Sequence, residues 1–71
     1  MNLIFNPIRI KQQIKEQGLK IKAVAGWLDT SPSNLSRKLR GKRNFRPEEL
    51  GLLANHLKVD VNAFYEEQPH Q

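Results

Sequence analysis

Apolar residues recur along this chain at helical spacing. Ile10 and Ile14 are four apart and share one helix face. Ile21, Val24, Ala25 and Leu28 fall at i, i+3, i+4 and i+7, and so do Leu50, Leu53, Ala54 and Leu57. Both sets form the stripe of an amphipathic helix and not the alternation of a strand. Leu35 and Leu39 make a narrower face, and Val61 and Phe64 a shorter one.

Polar punctuation sets the boundaries. Asn6-Pro7 and Ser31-Pro32 each place a capping side chain before a proline suited to the first helical position. Gly18 and Gly41 are the stops. Pro47 restarts the chain, with Glu48 and Glu49 in the first turn, where the helix dipole favours acids. Asp60 caps the last segment. The pattern predicts an all-α fold of five short helices over 7–17, 20–28, 32–40, 47–57 and 61–65. Asn2–Phe5 is read as a strap on the core, with a strand pairing to another subunit as the alternative. Residues 1–6 thus precede the domain, 7–65 form it, and 66–71 make a flexible tail without an apolar anchor.

At 71 residues there is room for one small domain, which buries only about 60% of its unfolded surface. There is no cysteine, which excludes disulfides, thiol chemistry and cysteine zinc sites. His56 and His70 cannot build a structural zinc site alone, and no cofactor is expected. No apolar stretch approaches a spanning helix or a signal peptide, so a cytoplasmic location is expected, with no membrane partner.

Charge changes the picture most. The net charge is +5 and the pI near 10. Arg37, Lys38, Arg40, Lys42, Arg43 and Arg46 bring +6 into one stretch with no acid between Asp29 and Glu48, so the rest of the chain carries −1. Such local basicity is the footprint of a polyanion.

The second and third helices, joined by a three-residue break with the small Ala25 nearby, fit a helix-turn-helix. The break needs a residue at positive φ, and Asp29 tolerates that region better than most. On the third helix Leu35 and Leu39 face the core. Pro32, Ser33, Ser36, Arg37 and Arg40 face elsewhere, with Asn34 and Lys38 on the flank. In a docked helix-turn-helix the start of the second helix of the pair enters the major groove, where an Arg bonds guanine O6 and N7 together.

The segment from Gly18-Leu19-Lys20-Ile21 through Leu35-Ser36-Arg37-Lys38-Leu39-Arg40-Gly41-Lys42-Arg43 resembles the lambda-repressor-like, Cro/XRE-type helix-turn-helix family, and Leu50 through Phe64 resembles its last two helices. The resemblance covers about Ile8 to Tyr65. It implies a sequence-specific regulator of double-stranded DNA, commonly a repressor, binding a palindromic operator as a homodimer at least on DNA. Carried over by position, Pro32, Ser33 and Arg37 contact bases, with Asn34 and Lys38 as additions. Ser31, Lys20, Arg40, Lys42, Arg43, Asn44 and Arg46 take the phosphate side. The chain departs from the pattern where Thr-Gln often opens the second helix (here Lys20-Ile21) and where the turn glycine is Asp29. Members also often carry an apolar residue where Lys38 stands. With the apolar residue at Leu39 instead, the third helix is expected to rotate slightly.

Other residues have plainer readings. Trp27 packs partly on a neighbouring helix, His56 is a half-exposed helix residue, and Phe45 closes the core beneath the basic loop. One of Phe64 and Tyr65 belongs to the core and the other meets a second protomer. The rival function is a protein-interaction helix-turn-helix, antitoxin-like or an anti-repressor partner, whose acidic ligand meets the same patch. RNA binding lacks stacking platforms beyond Phe45, and no nucleophile–base pair, metal set or phosphate loop points to an enzyme or a small-molecule ligand.

Overall fold

The computed structural model describes residues 3–67. Four α-helices follow one another: α1 Pro7–Glu16, α2 Ile21–Trp27, α3 Pro32–Leu39 and α4 Pro47–Leu57. They start and stop within a residue or so of the expected bounds. The fifth expected helix is one turn of 3₁₀ helix, Val61–Phe64. Asp60 caps it by accepting from the Asn62 N–H at 2.8 Å. Four residues cannot complete more than a turn before the chain becomes extended at Tyr65.

Two short strands frame the helices. β1, Leu3–Phe5, and β2, Tyr65–Glu67, pair antiparallel with Phe5 opposite Tyr65, Ile4 opposite Glu66 and Leu3 opposite Glu67. This corrects two expectations. Leu3–Phe5 is a strand, and its partner is the far end of the same chain rather than another subunit. Glu66 and Glu67 belong to β2 and not to a frayed tail; positions 1–2 and 68–71 lie outside the described residues. The anchor of β2 is polar: the Glu66 carboxylate accepts from Asn6 Nδ2 at 3.0 Å and pairs with Arg9 at 3.4 Å. The Asn6 N–H donates to the Phe64 carbonyl at 2.9 Å. Asn6 thereby ties the ribbon while its Oδ1 caps α1 through the Ile8 N–H.

The core draws on every helix. Ile10 and Ile14 meet Val24, Ala25 and Leu28, then Leu35, Leu39, Leu53, Ala54, Leu57 and Phe64. Phe64 is the core member of its pair; Tyr65 packs at the margin, edge-on to Phe5 at 5.6 Å. Trp27 of α2 stacks on the exposed His56 ring of α4 at 4.5 Å, and Gln17, at the end of α1, donates from Nε2 to the Leu57 carbonyl of α4 at 2.8 Å.

All four helices end alike. Gly18, Asp29, Gly41 and Lys58 take φ of 69°, 54°, 79° and 59°. At each, the N–H of that residue and of the next bond back to carbonyls of the last turn, as from Thr30 to Ala25 and from Lys42 to Arg37. Asp29 fills the left-handed position of the turn between α2 and α3, as its polar short side chain allows.

Candidate nucleic-acid interface

α3 begins at a built cap. Ser31 Oγ accepts from the Asn34 N–H at 3.1 Å, and Asn34 Nδ2 donates to Thr30 Oγ1 at 2.7 Å. Pro32 fixes the first turn. Leu35, Lys38 and Leu39 point inward. That leaves Pro32, Ser33, Arg37 and Arg40 exposed. Ser33, Arg37 and Arg40 are spaced four and three apart and so form one row along the helix. Ser36 between them is half-buried.

The loop after α3 continues this surface. Lys42, Arg43, Asn44 and Arg46 are all exposed. Ser31 is exposed as well, and its hydroxyl proton stays free to donate while its oxygen caps the helix. Lys20 is exposed at the cap position of α2 and bonds no backbone N–H with its side chain. The face is thus strongly cationic and mixes short hydroxyls with long guanidinium groups, the composition that serves phosphates and base edges together. Asp29 is the one acid on the turn that leads into α3, and it is exposed.

Two expected contacts sit elsewhere. Asn34 is half-buried and committed to Thr30, at the edge of the exposed row. Lys38 is corrected outright as a base contact. It keeps 8% of its surface exposed, and its Nζ bonds both oxygens of Glu49 at 2.8 Å. It occupies the inward position between Leu35 and Leu39, so α3 buries both Lys38 and Leu39 rather than turning one outward.

Glu49 is the residue that sequence reasoning undervalued. It is 9% exposed, and besides Lys38 it accepts from the Arg46 N–H at 2.8 Å. Its own N–H donates to the Arg46 carbonyl at 2.9 Å. This is the acidic half of a capping box; a guanidinium has no acceptor to supply the other half. Burial alone raises the Glu49 carboxyl, but the Arg46 N–H, the Lys38 hydrogen bond and the charges of Lys38 and Arg46 outweigh it and hold it below its ordinary value. The available signal was an acid three residues into a helix that starts at a cap. Phe45 packs beneath the loop, edge-on to Phe5 at 5.8 Å and 5.8 Å from Lys38 Nζ.

Among the described residues no helix is long and apolar enough to cross a membrane. No curated protein and no solved structure matches the chain. A family description does: the helix-turn-helix domain matches residues 8–64. That span runs from the first turn of α1 to the end of the 3₁₀ turn and takes in most of the chain, which therefore belongs to the helix-turn-helix family of DNA-binding domains.

Proposed function

We propose that this chain is a sequence-specific regulator of transcription that binds double-stranded DNA and reads the major groove with α3. The observation that carries the reading is the exposed row Ser33, Arg37 and Arg40, continued by the cations of the next loop on a helix whose other side is fully used by the core. Pro32, Ser33 and Arg37 meet base edges, with Asn34 at their margin. Ser31, Lys20, Arg40, Lys42, Arg43, Asn44 and Arg46 meet phosphates. Occupying the duplex excludes other proteins from it, which is the action of a repressor.

One α3 spans only a few base pairs, so a homodimer on a palindromic operator is part of the reading. Its half-sites lie about 34 Å apart, one turn of DNA. The helix-turn-helix family membership supports DNA as the ligand class.

The test compares two substitutions on duplexes recovered from a random pool. Arg37→Ala is expected to cost about 1–3 kcal/mol and relax preference at one base pair. Lys42→Ala is expected to weaken all duplexes alike. An Arg37→Ala protein with unchanged affinity and base preference contradicts readout by α3.

A further inference from the structure

We propose that Lys38 and Glu49 form an ionic clasp that sets the basic loop against the reading face of α3, making both positioning residues for DNA binding. The proposal rests on the DNA reading above.

The geometry carries it. Lys38 lies in the last turn of α3, and Arg46 is the residue that leads into α4. One carboxylate grips both: Glu49 takes the Lys38 ammonium with two oxygens and the Arg46 N–H with one of them, all at 2.8 Å. The segment between carries Arg40, Lys42, Arg43 and Arg46 and no acid. Four like charges so close repel one another and favour an open loop. The clasp closes that loop from its two ends, and it holds its one aromatic as well, since Phe45 lies under the Lys38 ammonium with Phe5 at its edge.

Stability alone is a poor reason for this pair. Apolar residues of similar size commonly replace a buried ion pair at no loss, because both ions had to be desolvated. What an apolar pair lacks is direction. A carboxylate bonded to three N–H groups fixes where the start of α4, and the loop before it, sit relative to α3. Spacing between base contacts and phosphate contacts is the quantity that docking requires.

The experiment measures affinity, salt dependence and amide hydrogen exchange on the tightest duplex from the random pool. Glu49→Gln gives a test of sign. It removes a negative charge, so simple electrostatics tightens DNA binding. The clasp requires weaker binding, by about threefold to tenfold, the scale of one modest interaction, with faster exchange at the loop amides. The paired Lys38→Met and Glu49→Met replacement leaves net charge unchanged and is expected to fold. It loses about tenfold in affinity while the slope of log K against log salt stays put, because neither side chain touches phosphate.

Tighter or unchanged binding by Glu49→Gln overturns the proposal. So does a paired variant with wild-type affinity, or one whose salt slope falls by about 0.9, the signature of a lost phosphate contact. Should the paired variant fail to fold, the sign test with Glu49→Gln decides alone. A wild-type protein that binds no duplex refutes the DNA reading itself, and that outcome is seen before any variant is compared.

Discussion

The four residues that end the helices share one backbone geometry but not one aptitude for it. Gly18 and Gly41 adopt positive φ freely. Asp29 does so at small cost, and Lys58, with a Cβ and a long side chain that is not suited to the left-handed region, at more. Lys58→Gly is therefore expected to raise stability by about 1 kcal/mol, read by urea unfolding followed through the fluorescence of Trp27, the single tryptophan. An unchanged or lower midpoint contradicts the strain argument. Glu49 gives a second expectation. Its carboxyl titrates lower in the folded chain than in the unfolded one. The stability it contributes is thus fully present above the ordinary glutamate value of 4.5 and lost as pH falls through the lower folded value. Thermal melts from neutral to acid pH should show a drop in wild type that is smaller in Glu49→Gln. Equal pH dependence in both proteins removes Glu49 as the cause. Both residues were hard to see in the sequence. A lysine at a helix end reads as a solvated charge, and an acid in a first turn reads as a dipole partner. Only tertiary placement shows that Lys58 is left-handed and that Lys38 lies within reach of Glu49.

Helices were legible because each carries its own signals. α1 and α3 carry cap, proline, apolar stripe and stop within about a dozen residues, whereas α2 rests on its apolar stripe and the breaks beside it, and α4 on Pro47 and its stripe. The ribbon was not legible for the converse reason. β1 and β2 have three residues each and pair across the length of the domain; such short strands have no periodicity to read, and their register comes from Asn6, Glu66 and the Phe5–Tyr65 contact. The contact of α2 with α3 depends on the small Ala25, which is buried in the core. Ala25→Leu forces three extra carbons into that contact and is expected to cost about 1–3 kcal/mol, and to weaken DNA binding by tilting α3. An Ala25→Leu variant with wild-type stability and affinity contradicts a tight α2–α3 crossing.

At the scale of the whole molecule, one side of α3 completes the core while the other extends into a cationic loop. The exposure of the cationic face was legible: Ser33, Arg37, Arg40 and the loop cations all stand at the surface. Lys38 was the exception, because charge in a sequence does not say which side of a helix bears it. If each protomer neutralises roughly 4 phosphates, a dimer's log K falls with log salt at a slope of about −7. A slope near −3 to −4, about half that value, points to a single protomer on DNA. The most direct test of α3 as the reading helix is selection of bound sites by the intact protein from a pool of random duplexes. The expected result is an enriched motif repeated by two-fold symmetry with centres about 34 Å apart, with one base position losing its preference in Arg37→Ala. A pool that returns no enriched sequence, or a motif that Arg37→Ala leaves intact, contradicts it.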